Sequence, residues 1–229
     1  MSSQSSPSQR GFQPSEIEAA VASMLLEPLD PRVYPLLARY LEILSRWNQK
    51  MNLTAVRDPR LLLHLHLGEC LRASQRIPRE VETVLDFGSG AGFPGIPMQI
   101  IRPELRVTLA DSQQKKASFL REVVREVGLS GAQVYAGRVE DMPPTSVFDL
   151  VALRAVDNME AALRSAVSRI RSPQEKRPGW CIVLTSRSEM AKATSTVAGA
   201  SGGDAIEWEP ADPVPGTEQR VILLGLRFR

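Results

Sequence analysis

The sequence has few of the residues that metal sites, disulfide networks and membrane spans require. Its 229 residues include two cysteines and two histidines, without the spacing of metal ligands. Cys70 and Cys181 lie far apart in the chain, which indicates reduced thiols in a reducing compartment. No apolar run reaches the length of a membrane span, and the N-terminal segment lacks the apolar core of a signal peptide. We therefore expect a cytoplasmic protein without a bound metal.

A large excess of charge of one sign is also missing. Lys and Arg together number 28 and Asp and Glu 26, so the net charge is +2. This balance is too weakly basic to indicate a nucleic-acid partner by itself, so an RNA-binding surface must be argued from local clusters of cations. The length suits one α/β domain with an N-terminal extension.

The sequence does contain a glycine-rich segment, LDFGSGAGFPGIP, at residues 85–97. An apolar run precedes it and helical apolar spacing follows, which predicts a strand-to-helix turn where α/β sheets bind nucleotides. A phosphate-binding P-loop would end in Gly-Lys-Ser/Thr, and this segment has no lysine. A dinucleotide loop would have its third glycine at position 93, where this chain has Phe93. This argues against a nicotinamide-dependent oxidoreductase.

Two acids near the loop favour S-adenosylmethionine as its ligand. Asp86 precedes the first glycine by two residues; a carboxylate there would repel pyrophosphate but attracts an ammonium group, directly or through water. Asp111 ends the next predicted strand, at the distance where an acid usually binds the ribose hydroxyls. A tight turn without a ligand is the alternative reading of the same residues.

Apolar spacing predicts helices before a region in which strands and helices alternate. The first helix starts near Pro14 with Ser15 as its cap, and two more follow over 31–50 and 59–76. The alternating part indicates a doubly wound, mostly parallel sheet. Its predicted strands are 83–87, 106–110, 132–136, 147–152 and 180–185, and its helices are 94–101, 113–127 and 157–171.

The last segment, 204–228, predicts two further strands joined by a Pro/Gly-rich connection, an antiparallel pair at the sheet edge. We divide the chain into a disordered tail (1–13), an N-terminal helical extension (14–76) and a cofactor-binding domain (77–229).

Four segments together resemble one known family. They are GSGAGFPGIP (88–97), DSQQKKASFL (111–120), GRVEDMP (137–143) and, upstream, RWNQKMNLTAVRD (46–58). The family is that of the bacterial small-subunit ribosomal RNA guanine-N7 methyltransferases, also called glucose-inhibited division protein B. The resemblance covers about residues 36–160 well. It implies a Rossmann-like class I methyltransferase fold, S-adenosylmethionine as cofactor, and methyl transfer to N7 of a guanine in 16S ribosomal RNA.

The loop, the acids and the resemblance together define a predicted cofactor site. Its residues are Asp86, Gly88, Ser89, Gly90, Gly92, Phe93, Asp111, Ser112, Val139, Glu140 and Arg154. The resemblance places Val139 and Glu140 at the adenine. Arg154 ends the fourth strand, beside the cofactor carboxylate or the target base. No residue is assigned as catalytic, because guanine N7 has an available lone pair and its methylation requires alignment rather than a general base.

Cations near the upstream motif and the cofactor edge are candidates for RNA contact. The predicted RNA-binding residues are Arg46, Lys50, Arg57, Arg60, His66, Lys115 and Lys116. The paired lysines also fit an ordinary solvated helix face. Since a guanine in a folded duplex is hard to reach, we expect the substrate to be a loop nucleotide or an immature ribosomal particle. We also expect a monomer whose partner is ribosomal RNA in a small-subunit particle.

The chain departs from the family pattern in three short motifs. The family has His-x-x-Asp-Ser, Leu-Lys-Gly and Arg-His where this chain has His66 with Glu69-Cys70, Leu184-Thr185-Ser186 and Gln219-Arg220. Two alternatives therefore stay open. One is a non-catalytic, S-adenosylmethionine-binding ribosome assembly factor. The other is a methyltransferase with a different substrate, which would not need the cations at 46–60.

Overall fold

The computed structural model describes residues 11–56, 58–156, 158–172, 178–197 and 206–227, which form an eight-stranded sheet flanked by helices. The strands are β1 (Thr83–Phe87), β2 (Arg106–Asp111), β3 (Ala132–Ala136), β4 (Leu150–Arg154), β5 (Gly179–Ser186), β6 (Ile206–Trp208), β7 (Asp212–Pro213) and β8 (Arg220–Arg227). The helices are α1 (Pro14–Val21), α2 (Val33–Met51), α3 (Pro59–Leu61), α4 (Glu69–Gln75), α5 (Gly95–Ile101), α6 (Gln114–Val127), α7 (Met159–Val167) and α8 (Arg187–Thr196).

The sheet has the order β3-β2-β1-β4-β5-β8-β6, and β7 also pairs with β8. The first five strands are parallel, whereas β8 runs antiparallel to β5, β6 and β7. This arrangement confirms the predicted doubly wound α/β class with an antiparallel end. Because β8 runs backwards, its first residue, Arg220, pairs with Ser186 at the carboxyl end of β5. Arg220 thus lies at the same edge of the sheet as the glycine loop.

The sheet is covered on both faces. Successive residues of β1 point to opposite sides, since Val84 belongs to one buried apolar cluster and Leu85 to another. The first cluster includes side chains from α1, α2, α5 and α6, and the second includes side chains from α7 and α8. The N-terminal helices therefore share a core with the sheet, although the boundary between 14–76 and 77–229 stays a prediction.

Several local details differ from the sequence-based expectation. Gln13, not Ser15, occupies the N-cap of α1, because Pro14 takes the first helical position. The predicted helix over 59–76 contains a π-helical segment, Leu62–Gly68, between α3 and α4. A π segment inserts an extra residue per turn, which spacing alone does not reveal. Residues 1–10 of the predicted tail lie outside the described residues.

Three elements near the end of the chain were missed or misjudged. Helix α8 was not predicted, because it buries Ala193 alone and so lacks the apolar stripe of an amphipathic helix. The two-residue strand β7 was not predicted either. The helix predicted over 157–171 is shorter, because the Asn158 side chain caps α7 by accepting a hydrogen bond from the amide of Ala161 at 3.1 Å.

Candidate functional site

The glycine loop connects β1 to α5 and is attached to β2. Three of its glycines have positive φ angles, 72° at Gly88, 56° at Gly90 and 90° at Gly92. The amide of Gly90 donates to Oδ2 of Asp111 at 3.0 Å, and the amide of Gln113 donates to Oδ1 of the same carboxylate at 2.8 Å. Asp111 therefore lies beside the loop, as the spacing predicted, and also orders the residue before α6.

Gly90 faces open space, whereas Gly95 faces the interior. A Cβ built on Gly90 would meet the carbonyl oxygen of Gly88 at 3.8 Å and no other atom of the described residues within 4 Å. A Cβ on Gly95 would lie 2.6 Å from Oδ2 of Asp86. Gly95 is therefore required for packing, and Gly90 leaves room for a ligand to approach the backbone.

Asp86 lies beneath the loop rather than on its surface. Its side chain is fully buried, and its Oδ2 accepts a hydrogen bond from the amide of Gly95 at 3.1 Å. Its Oδ1 is buried without a hydrogen-bond partner among the described residues. Burial disfavours the charged form and raises the pKa of this carboxyl to about 7. A free buried acceptor at this point fits a ligand that carries an ammonium group.

The predicted adenine side is a short 3-10 turn, Val139–Asp141, that follows β3. Val139 is buried, and Glu140 and Ser112 are exposed. The buried side chain of Arg169 donates to the carbonyl groups of the turn region, at Glu140, Met142 and Pro143, over 3.2, 2.9 and 2.7 Å. Arg169 was not predicted as part of the site, because an arginine after a helix end forms no motif.

Arg154 is joined to the N-terminal helices by a buried ion pair. It ends β4, and its Nε donates to Oε2 of Glu69 at 3.0 Å. Oε1 of the same carboxylate accepts a hydrogen bond from Nε of Arg220 at 2.8 Å. The guanidinium carbon of Arg154 lies 5.7 Å from the ring centroid of Phe93, a cation–π contact. The structure thus brings the predicted residues Arg154 and Phe93 together and adds Glu69.

Phe93 is surrounded by side chains from the N-terminal helices. Its ring lies 5.4 Å from that of Tyr40 and 5.5 Å from that of His66. The Tyr40 hydroxyl donates to the carbonyl of Ala91 in the loop at 2.7 Å. Burial, with repulsion from Arg154 and Arg220, lowers the pKa of His66 to about 3, so its ring is neutral at neutral pH. His66 was predicted to bind RNA; the structure places it against the cofactor loop.

A cleft of about 620 Å³ opens at the carboxyl ends of β4 and β5. Its volume is in the range of small-ligand sites. It is next to the loop, because Val156 in its wall lies 2.9 Å from where a Cβ on Gly88 would be. The lining residues are Ala155, Val156, Asn158, Met159, Glu160, Leu184, Thr185, Ser186, Glu189, Lys192 and Arg220.

The other described RNA-binding candidates are not part of the Phe93 and Arg154 cluster. Arg46 forms an ion pair with Glu122 of α6. Lys50, Arg60 and Lys115 are exposed and Lys116 is half-buried. Arg57 lies outside the described residues. Their contact with RNA stays a prediction.

Metal and thiol chemistry receive no support from the described residues. No group of three or more His, Cys, Asp or Glu side chains in them could hold a metal ion. Both cysteines are buried, and burial raises the pKa of the Cys70 thiol and raises that of Cys181 to about 12. In the described part of the chain, no helix is long and apolar enough to cross a membrane.

The sheet order and the glycine loop after β1 define a Rossmann-like methyltransferase fold. A solved ribosomal protein L11 methylase from Lactobacillus delbrueckii subsp. bulgaricus is similar over 72% of this chain and 80% of that chain, with a TM-score of 0.57 and 15% identity. M. jannaschii TYW2, solved in complex with AdoMet, is similar over 72% of this chain and 76% of that chain, with a TM-score of 0.55 and 16% identity.

Sequence comparison gives the particular family. The sequence profile of GidB, rRNA small subunit methyltransferase G, matches residues 34–175. The ribosomal RNA small subunit methyltransferase G of Chromobacterium violaceum is 42% identical over 144 residues, which are 63% of this chain and 68% of that protein. The chain belongs to the GidB family, so the predicted resemblance is confirmed.

Proposed function

We propose that this chain transfers the methyl group of S-adenosylmethionine to N7 of a guanine in small-subunit (16S) ribosomal RNA. Membership of the GidB family carries the proposal, because the matched residues 34–175 include the glycine loop and Asp111. The open space at Gly90 and the free acceptor on Asp86 support a cofactor bound at the loop. The N7 position rests on the family resemblance of the four sequence motifs.

In this proposal, five of the predicted cofactor residues have specific roles. Asp111 offers its carboxylate to the ribose hydroxyls, and Asp86 interacts with the ammonium group. Val139 and Glu140 face the adenine, and Arg154 lies beside the cofactor carboxylate. When bound, S-adenosylmethionine supplies an electrophilic methyl group.

Methylation of guanine N7 requires no general acid or general base. The N7 lone pair forms the new N–C bond while the bond between the methyl carbon and sulfur breaks. Its electron pair stays on sulfur, so the positive charge moves to the purine and no proton is transferred. The protein contributes alignment and a suitable electrostatic environment. His66, whose pKa is lowered to about 3, is neutral at neutral pH.

The cleft and the exposed cations can contact an RNA substrate. The cleft has a volume of about 620 Å³, and its wall carries Lys192 and Arg220, which can approach phosphates, as well as Glu160 and Glu189. Lys50 and Arg60 are further exposed cations. We infer a cytoplasmic monomer, with the helical part 14–76 and the methyltransferase part 77–229, that acts on a small-subunit particle.

Methyl mapping tests this function. Small-subunit particles from cells that lack the protein are incubated with the purified chain and S-adenosylmethionine. The 16S RNA is then reduced and treated with aniline, which cleaves at N7-methylguanosine. We expect one new cleavage site. Methylation of another base or atom would favour a different substrate. Cofactor binding with no transfer would favour the non-catalytic assembly factor.

A further inference from the structure

Two arginines share one buried carboxylate beside the cleft. Glu69 is fully buried and is the first residue of α4. Its two oxygens accept hydrogen bonds from Nε of Arg154 at 3.0 Å and Nε of Arg220 at 2.8 Å. Arg154 comes from the end of β4 and Arg220 from the start of β8. Glu69 therefore joins the N-terminal helices to the sheet edge that carries the site.

This cluster has more positive than negative charge. Both guanidinium groups are permanently protonated and face a single carboxylate in direct contact. Asp86 also interacts with Arg154, but burial raises its pKa to about 7, so it is only partly ionised at neutral pH. An anionic group from a ligand would balance the excess charge.

The two arginines face different parts of the site. Arg154 lies over Phe93, and its Nη2 donates to the carbonyl of Leu65 at 3.4 Å. Arg220 lines the cleft, and its Nη2 is buried without a hydrogen-bond partner among the described residues. A buried donor without an acceptor is costly, so an oxygen atom brought by a ligand would satisfy it.

Glu69 and Arg220 also lie in two of the three motifs that depart from the family pattern. Glu69 replaces an aspartate, and Arg220 occupies the histidine position of the Arg-His pair. In the structure these two side chains form an ion pair.

We propose that Glu69 is a positioning residue that holds Arg220 by its Nε edge, so that the terminal nitrogens of Arg220 bind a phosphate oxygen of the RNA in the cleft. A guanidinium held in this way loses less side-chain entropy on binding a phosphate. The inference rests on the proposed function, because the phosphate belongs to the nucleic-acid substrate.

The test compares Glu69→Gln, Glu69→Asp and Arg220→Gln in the full chain, with small-subunit particles as substrate. Loss of a held guanidinium–phosphate contact should raise the KM for the particle about tenfold in Glu69→Gln and in Arg220→Gln. The Kd for S-adenosylmethionine, measured by calorimetry, should stay near the wild-type value in Arg220→Gln, which retains the pair of Glu69 and Arg154. Glu69→Asp retains the charge and should recover most of the loss.

Two further variants separate positioning from stability. The double variant Glu69→Gln/Arg220→Gln should have the KM of Arg220→Gln alone, because both changes remove the same contact. Asp212→Asn is the matched control: Asp212 is 7% exposed and accepts from Arg72 at 2.7 and 2.9 Å. It should lower the free energy of unfolding and leave the KM for the particle unchanged.

The outcomes distinguish this inference from the proposed function. If the wild type transfers methyl and both single variants keep its KM, the inference is wrong and the function stands. If Glu69→Gln weakens cofactor binding alone, the anion is the cofactor carboxylate, which also overturns it. Should Glu69→Gln fail to fold, Arg220→Gln carries the test, since it retains the pair of Glu69 and Arg154. If the wild type transfers no methyl group, the affinity of Arg220→Gln for 16S RNA is compared with that of the wild type by filter binding. An unchanged affinity would then refute the inference.

Discussion

Replacing Tyr40 with phenylalanine should weaken both the fold and the cofactor loop. Tyr40 lies in α2, is fully buried, and donates a hydrogen bond of 2.7 Å to the carbonyl of Ala91 in the glycine loop. Its ring also packs edge-on against Phe93, with centroids 5.4 Å apart. The substitution removes the hydroxyl and retains the ring, so it isolates the hydrogen bond.

The expected loss of stability follows from the carbonyl of Ala91, which stays buried but loses its hydrogen-bond donor. An unsatisfied buried acceptor costs about 1–3 kcal/mol of folding free energy. For a domain of this length, this corresponds to a decrease in Tm of about 2–12 °C. Because Ala91 belongs to the loop, the affinity for S-adenosylmethionine should fall as well. Urea unfolding measures the first effect and titration calorimetry the second.

Tyr34 provides the matched control in the same helix. It is 4% exposed, and its hydroxyl makes no hydrogen bond to another described residue. Tyr34→Phe should therefore leave the free energy of unfolding and the cofactor Kd near their wild-type values. If Tyr40→Phe behaves like Tyr34→Phe in both assays, the helical extension does not support the loop, and the reasoning is refuted.

Three further predictions concern the loop, its acid and the surface. Gly90→Val should abolish binding of S-adenosylmethionine in calorimetry, because its side chain would fill the open space beside the loop. The carboxyl of Asp86 has a pKa of about 7 in the folded protein, above its ordinary value of 3.8. Between these two pH values the folded state therefore binds more protons than the unfolded state. The stability of the wild type relative to Asp86→Asn should fall as pH rises from about 4 to about 7, by at most about 1.4 kcal/mol per unit, and level off above it; urea unfolding across this pH range measures it. Lys50→Ala/Arg60→Ala should lower the slope of log K against log salt for RNA binding by about one unit per contact.

The loop prediction and the surface prediction each have a control in the same chain. Gly128 has a φ of 77°, and a Cβ built on it would meet no atom of the described residues within 4 Å, so Gly128→Val bears a similar backbone cost but should keep cofactor binding. Equal losses in both glycine variants would mean that the loop is only a turn. A flat pH difference would contradict the raised pKa. Arg79→Ala/Arg106→Ala, at the opposite edge of the sheet, should leave the salt slope unchanged; an unchanged slope in the Lys50/Arg60 variant would place the RNA surface elsewhere.

Elements with local signals could be predicted from the amino-acid sequence alone. The bounds of β1 at 83–87 and β3 at 132–136 agree with the prediction, because short apolar runs with turn residues at their ends indicate strands. Glycine spacing placed the loop, and the strand length brought Asp111 to it. The family followed from contiguous motifs. All of these depend on neighbouring residues along the chain.

Which distant side chains meet depends on the tertiary structure. Glu69 lies 85 residues from Arg154 and 151 from Arg220, and it meets Arg220 because β8 runs antiparallel beside β5. Arg169 likewise contacts the turn Val139–Asp141, which is distant along the chain, and the ring of His66 packs against Phe93. An ion pair between separate elements leaves no periodic pattern in the sequence, since its geometry is set by sheet order and packing, and these are properties of the whole chain.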